Sequence, residues 1–181
     1  MRSYFFRSIY TISVLFALFL SSCSSTNQTQ DILHYVGKVE GTDAFIGLVT
    51  DGTRITAYVC DGDGTDINIS AWFKGELSDN SFTLQSVDPL ILAGELASGK
   101  INGTLQLADG SQHAFMADVV DSPAGVFRQE ESENGSTVVT GWIVLPNQEY
   151  RGGKFSSIVG GPPAIVGGPP AIVSRMTLSL P

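Results

Sequence analysis

Three aspartates in a glycine-rich stretch have the residue types and spacing that most nearly suggest a binding site. Asp61, Asp63 and Asp66 lie close together, and clustered carboxylate oxygens are the ligands that Ca²⁺ takes in proteins. The stretch departs from an EF-hand loop, because Thr65 stands at the third ligand position and Trp72 stands where the bidentate glutamate belongs. We therefore expect an acidic, solvated hairpin loop, and Asp61, Asp63 and Asp66 stay weak candidates for a metal site.

Catalytic chemistry has little support among the remaining residues. The chain has two histidines: His34 shares the polar face of its strand with Lys38, whereas His113 shares a face with Phe115. No serine lies in the Gly-x-Ser-x-Gly setting of a nucleophile elbow, and zinc spacings, phosphate loops and dinucleotide fingerprints are missing from the sequence. We predict no catalytic residue, no cofactor and no enzyme. A small hydrolase ranks last and would need a histidine, an acid and a nucleophile in one cleft.

The two tryptophans differ in the face that they occupy. Trp72 alternates with Ala71 and Phe73 and falls on the polar face of its strand, where an exposed aromatic ring would be a contact for carbohydrate or protein. Packing against the tail or a neighbouring loop is the favoured alternative for Trp72. Trp142 is predicted to lie in the core, with Arg128 pairing with it or capping one end of a barrel.

The elements that position these residues are predicted to be strands. From residue 32 the chain alternates apolar and polar residues in short runs, separated by turn dipeptides such as Asp51-Gly52, Asp109-Gly110 and Asn134-Gly135. The pattern predicts one all-β domain over residues 32–150, with nine or ten strands in a mostly antiparallel meander. We favour a barrel, because closure removes exposed edges; a two-sheet sandwich is the alternative.

The last part of the chain, residues 151–181, is rich in glycine and proline. The heptapeptide Ile-Val-Gly-Gly-Pro-Pro-Ala occurs at residues 158–164 and again at 165–171, and its prolines and glycines forbid a helix. A duplication in a tolerant tail is favoured over a selected spacer. Alternation over residues 175–180 predicts a possible last strand.

The charge balance narrows the classes of partner. The sequence has 18 acidic and 10 basic residues, and its basic residues form no cluster, so binding to nucleic acid or to an anionic membrane surface is not expected. Only two cysteines are present. Cys60 lies at the end of an apolar strand, and we predict a packed structural thiol there rather than a reactive one.

The N-terminal segment has the features of an export signal. Arg2 and Arg7 precede an apolar run that ends at Leu20, without an acidic residue. A run of about twelve residues is too short to span a bilayer as a helix, which needs about twenty, and it fits a secretory signal peptide over residues 1–22.

Leu20-Ser21-Ser22-Cys23 resembles the lipobox of bacterial lipoproteins. The resemblance implies cleavage before Cys23, a diacylglyceryl group on its sulfur and acylation of the new amine with a fatty acid such as palmitate. Several acyl chains make a stable membrane anchor. An ordinary signal peptide with a chance cysteine is the alternative. In such lipoproteins an aspartate directly after the lipidated cysteine favours retention in the inner membrane. Because Ser24 occupies that position here, the outer membrane is expected in a bacterium with two membranes. Residues 23–31 then form a lipidated, flexible tether.

These observations predict location more sharply than activity. We expect an exported β-domain of the cell envelope, anchored by lipid on Cys23, that binds a protein or small ligand without chemistry. The layout is similar to small barrel lipoproteins that inhibit lysozymes or proteases, in architecture only. A structural envelope or adhesion component with a Gly/Pro spacer is the alternative. A binding barrel predicts an apolar cavity or an aromatic patch around Trp72, whereas an envelope component predicts a filled interior.

Overall fold

The computed structural model describes residues 31–62, 67–133, 136–156, 164–165 and 174–178. Strands are the only regular elements in these ranges, and none of them contains a helix long and apolar enough to cross a membrane. The strands are β1 (Leu33–Val39), β2 (Phe45–Thr50), β3 (Arg54–Cys60), β4 (Ser70–Glu76), β5 (Ser81–Gln85), β6 (Ile91–Ala97), β7 (Lys100–Gln106), β8 (Gln112–Val120), β9 (Gly125–Glu133), β10 (Ser136–Val144), β11 (Tyr150–Ser156) and β12 (Ala164–Ile165).

Eight antiparallel strands form a sheet that nearly closes into a barrel. Their order is β4-β3-β2-β1-β8-β7-β6-β5, so that β1 pairs with β8 and every other pair is a hairpin. Between β4 and β5 the structure has one isolated bridge, Ser78 to Ser81, in place of a ladder. The predicted all-β, mostly antiparallel, barrel-like meander is confirmed.

Several hairpin turns contain glycine, asparagine or aspartate at positions where φ is positive. Gly52 and Gly110 have φ values of +86° and +85°, as expected for the Asp-Gly turns that join twisted strands. Asp79 and Asn80 take positive φ in the turn after β4, where asparagine and aspartate are tolerated best. The predicted Asn134-Gly135 turn lies outside the described residues.

The interior of the barrel is filled by side chains. Alternate residues of each strand point inwards, and the large buried ones include Tyr35 and Phe73 on one wall and Phe82 and Phe115 on the other. Phe115 lies directly on Gly103, where an added Cβ would come within 2.7 Å of its ring. This layer of aromatic and aliphatic side chains makes the interior a packed core.

A smaller sheet, in the order β12-β11-β10-β9, covers part of the barrel's outer wall. Val126 and Ile143 of this second sheet pack against Val36, Val49 and Tyr58 on the outer faces of β1, β2 and β3. The second sheet therefore removes these outward side chains of β1, β2 and β3 from water.

Residues assigned to the tail contribute to the second sheet. Strand β11 pairs with β10, and Ala164–Ile165 pairs with β11. Arg175 forms an isolated bridge with Phe127, and the Met176 amide donates to the Val126 carbonyl at 2.8 Å. The rest of the heptapeptide repeat and Cys23 lie outside the described residues.

Candidate functional site

The candidate site is a groove on the outer wall of the barrel, at the margin of the second sheet. Its volume is about 430 Å³. Strands β3 and β4 form its floor, and β9 and the C-terminal segment form one wall. The residues that line it are Arg54, Ile55, Thr56, Lys74, Gly75, Glu76, Arg128, Met176, Thr177 and Leu178.

Cross-strand register explains the floor of this groove. Arg54, Thr56 and Tyr58 point outwards from β3, and their partners on β4 are Glu76, Lys74 and Trp72, respectively. The second sheet covers the Tyr58 and Trp72 end of this ladder. The groove is the part of the same ladder that the second sheet leaves open.

An aromatic and cationic stack closes the covered end. The rings of Tyr58 and Trp72 lie 4.4 Å apart between centroids at an interplanar angle of 24°. The guanidinium carbon of Arg128 lies 5.4 Å from the Trp72 ring centroid, within the range of a cation–π interaction. Arg128 is thus held over Trp72 while it lines the groove.

Glycines in the second sheet make room for this stack. Gly141 and Gly153 are register partners on β10 and β11, and a Cβ at Gly141 would lie 2.6 Å from Cζ2 of Trp72. The Tyr58 hydroxyl lies 2.9 Å from Ser70 Oγ, and burial raises the pKa of Tyr58 well above its usual value. Tyr58 is therefore a neutral, fixed group.

Trp72 is half-buried under the second sheet. Its packing partner is a second sheet rather than the tail or a loop, and Arg128 contacts Trp72 where the sequence suggested Trp142 or a barrel end. Trp142 is 4% exposed, in keeping with a core position. The proposed contact role of Trp72 stays a prediction, and its neighbour Arg128 is the residue that reaches the groove.

The three cations of the groove are held differently. Arg54 donates from Nε and Nη2 to Asp51 Oδ2 at 2.9 and 2.6 Å, and Arg128 forms an ion pair with Glu130. Arg128 Nε is buried and donates no hydrogen bond within the part of the chain that the structure describes. Lys74 is exposed, and within the described ranges its ammonium group forms no ion pair. Lys74 is the cation of the floor that is available to a ligand.

Asp51 fixes the turn at the end of the floor. The amides of Thr53 and Arg54 donate to its Oδ1 at 2.9 and 2.7 Å. Desolvation raises the pKa of Asp51, but these bonds and the Arg54 guanidinium outweigh it and lower the pKa to about 2. Asp51 is therefore ionised at neutral pH, and its carboxylate holds Arg54 in position.

His34 lies in the interface between the barrel and the second sheet. The Val126 amide donates to its Nδ1 at 3.2 Å, and its Nε2 lies 3.0 Å from the Met176 carbonyl, which fixes a neutral ring with its proton on Nε2. Burial and the positive charge of Arg175 lower its pKa to about 4. The expectation of a polar face for His34 is wrong, because the second sheet covers it.

His113 belongs to a turn-stabilising network rather than to a catalytic arrangement. Its Nε2 lies 3.2 Å from Ser111 Oγ and its Nδ1 lies 3.0 Å from the Glu40 carbonyl. Asp109 accepts from the amide and the hydroxyl of Ser111 at 2.9 and 2.6 Å, which lowers the pKa of Asp109. The acid thus holds the serine instead of orienting the histidine, and a carboxylate of lowered pKa is a poor base.

The remaining sequence candidates have structural roles where they are described. Asp61 accepts from the amides of Asn68 and Ile69 at 3.0 Å through Oδ1, while Asp63 and Asp66 lie outside the described residues. Within the described ranges no group of three metal-ligating side chains comes together. Cys60 is buried as predicted, and burial raises the pKa of its thiol.

A second groove flanks the other margin of the second sheet. Its volume is about 330 Å³, and Lys38, Phe45 and Glu149 are among its lining residues. The Arg151 guanidinium lies 4.9 Å from the Phe45 ring centroid. This second groove is smaller than the groove on β3 and β4, and the stack of Tyr58 and Trp72 does not lie beside it.

Comparisons with known proteins add no further information on function. No protein-family model matches the chain. No significant match was found among curated proteins or among solved structures. The function is therefore inferred from the chain's own residues and geometry.

Proposed function

We propose that this chain is an exported, lipid-anchored module of the bacterial cell envelope that binds a protein or small ligand without chemistry. The groove on β3 and β4 is its binding site. The observation that carries the proposal is the open end of the β3–β4 ladder, where Lys74 and Arg128 border one concave surface.

The chemistry of the groove suits recognition. Lys74 and Arg128 supply hydrogen-bond donors, and Met176 and Leu178 supply apolar surface on the wall that the C-terminal segment forms. Binding sites commonly combine apolar lining with a few polar groups that fix orientation. Arg128 has little freedom over Trp72, so less conformational entropy is lost when it binds a ligand.

The packed interior supports a site on the outside. Tyr35, Phe73 and Phe115 are buried within the barrel and pack together with the other interior side chains. A ligand in the interior would have to displace this core, whereas the groove requires no rearrangement of the barrel.

The anchor is supported by the sequence around Cys23 and by the state of the other cysteine. Cys60 is fully buried at the end of β3 and so is a poor disulfide partner for Cys23. The polar residues 24–30 suit a flexible link between a lipid anchor and the first strand.

A structural role in the envelope is the second candidate. The packed interior favours it, as do the C-terminal residues that pair with β9 and β11. In that case contacts would be spread along sheet edges, and substitution of a single groove residue would have little effect.

The test compares groove variants in capture from envelope extract by the lipidated chain. Lys74→Ala and Arg128→Ala should each weaken capture about tenfold or more, since hydrogen bonds to charged groups contribute roughly 1.5–3 kcal/mol. Lys100→Ala is the matched control, because Lys100 pairs with Asp118 on the side of the barrel away from the groove. Equal capture by all three variants would contradict binding in the groove and favour the structural role.

A further inference from the structure

We propose that the end of the barrel nearest to Cys23 docks on the surface of a zwitterionic lipid bilayer. The proposal rests on the lipid anchor of the proposed function and adds an orientation of the folded domain. The contact is made by Ile32, Leu33 and Val119, which we call the apolar rim. They are 37%, 42% and 49% exposed, respectively.

The rim lies at one end of two neighbouring strands. Leu33 begins β1, and Val119 lies near the end of β8, opposite Tyr35. Half of the exposed large hydrophobic side chains in the described part of the chain belong to the rim. Val87, the most exposed of the others, lies in the turn between β5 and β6 at the opposite end of the barrel.

The length of chain before the rim restricts what it can reach. Eight residues, 24–31, separate Cys23 from Ile32. A chain of this length extends to at most about 30 Å, and a flexible one has a root-mean-square span of roughly 16 Å. With acyl chains on Cys23 inserted in a bilayer, the rim is therefore the part of the domain held closest to the lipid surface.

The rim is small, and the tether compensates for its size. Three half-exposed side chains are too little apolar surface to hold a free protein on a membrane. A link of only eight residues raises the effective concentration of the rim at the bilayer to the millimolar range. Docking therefore depends on the anchor and is not expected of a chain that lacks it.

The charges around the rim decide the type of lipid. Asp31, Asp79 and Asp121 are exposed at this end of the barrel. Among the cations at the same end, Lys100, Arg54 and Arg128 are paired with acids, Arg175 interacts with Asp121, and Lys74 lies on the outer face of β4 in the groove. This surface would be repelled by anionic headgroups. The surface that fits the rim is one of zwitterionic lipids.

The experiment uses the mature chain, from Cys23 onwards, attached through the Cys23 thiol to a maleimide lipid in zwitterionic nanodiscs. The discs contain a gadolinium-chelating lipid, and relaxation of backbone amides is measured by NMR. Gly52 and Gly99 lie in turns at the rim end, whereas Gly41 and Gly110 lie in turns at the other end. Amides of the first pair should relax faster than those of the second pair.

Variants separate docking from simple tethering. The double variant Leu33→Ser with Val119→Ser should reduce the relaxation ratio between the two ends at least twofold, and so should replacement of a third of the lipid by an anionic one. Val87→Ser is the control and should leave the ratio unchanged. If the double variant alters the amide spectrum of the core, Ile32→Ser takes its place.

Failure of rim docking and failure of the Cys23 anchor give different results. An unchanged ratio in the rim variant would overturn docking while leaving the anchor intact. Lack of acyl groups on Cys23 in cells would contradict the anchor, and the attachment through maleimide makes the docking result independent of it.

Discussion

At the scale of single residues, His34 shows how the second sheet changes the properties of a side chain. Its neutral ring receives the Val126 amide on Nδ1 and faces the Met176 carbonyl with Nε2. Protonation of Nδ1 would break the first bond and place a positive charge near that of Arg175. His34 therefore makes the interface between barrel and second sheet sensitive to acid.

The pH dependence of unfolding should reveal this effect. The pKa of His34 falls from 6.5 to about 4 on folding, so the unfolded chain binds the proton more readily. The stabilising contribution is complete above pH 6.5 and is lost as the pH falls from 6.5 to 4, by roughly 3 kcal/mol. Urea unfolding between pH 7.5 and 4.5 measures it. His34→Gln should flatten the slope over this range, and His113→Gln should retain it; equal slopes in both variants would exclude His34 as the cause.

Residue-level prediction from sequence worked where one face of a strand decided the environment. The alternation in β4 placed Phe73 on the face opposite to Trp72, and Phe73 is buried. The surroundings of His34 and Arg128 were missed, because each depends on a contact between the barrel and a sheet distant in sequence. Local periodicity carries no information on such a contact.

At the scale of elements, the close approach of β10 to β3 and β4 depends on Gly141. Its Cα faces the edges of Tyr58 and Trp72, and an added Cβ would lie 2.8 Å and 2.6 Å from them. The second sheet can therefore lie flat on the aromatic stack only when this residue lacks a side chain.

Gly141→Ala should destabilise the fold by about 1–3 kcal/mol through overpacking. Chemical denaturation monitored by tryptophan fluorescence measures the change. The variant Trp72→Phe removes the atom nearest to the new methyl group, so the double variant should be more stable than the sum of the two single effects predicts. A neutral Gly141→Ala, or strict additivity, would show that the sheets are not in close contact there.

The sequence predicted only part of the groove. Trp72 was recognised as an unusual outward residue, whereas Arg54, Lys74 and Arg128 were not grouped together. The signal was the alternation Arg-x-Thr-x-Tyr in β3 opposite Trp-x-Lys-x-Glu in β4, which forms a polar and aromatic outer face. The sequence does not indicate which half of this face the second sheet covers, and so it does not predict which half forms the groove.

At the scale of the whole molecule, the C-terminal residues belong to the folded domain. Strand β11 forms a full ladder with β10, and Gly153 lies against Tyr58. The sequence indicated the all-β class and the meander from its turns and alternation. The second sheet could not be deduced, because glycine-rich β11 has little apolar alternation and is held by its neighbours.

Shortening the chain in steps should separate these contributions. Ending it after Pro146 removes β11 and β12 and should cost about 3 kcal/mol or more, seen as a fall in Tm of roughly 10 °C. Ending it after Val173 keeps both strands and loses only the segment that bonds to His34 and Val126, so a smaller fall is expected. Identical Tm values for the two shortened chains would contradict a structural role for β11.

The groove and the apolar rim share one end of the barrel. Leu33 is the register partner of Thr50, which in turn pairs with Ile55 beside Arg54. A domain anchored through Cys23 and docked by its rim would present the groove close to the lipid surface. We therefore expect ligands that are themselves located at the membrane surface.

The lipid anchor on Cys23 is the claim on which location, docking and access to the groove all depend. Cys23→Ser removes the thiol that the proposed anchor requires, and it leaves the described residues of the domain unchanged. Membrane fractionation with labelled fatty acid measures the result directly. We predict that label is lost and that the protein leaves the membrane fraction, whereas unchanged labelling and fractionation would contradict the lipid anchor.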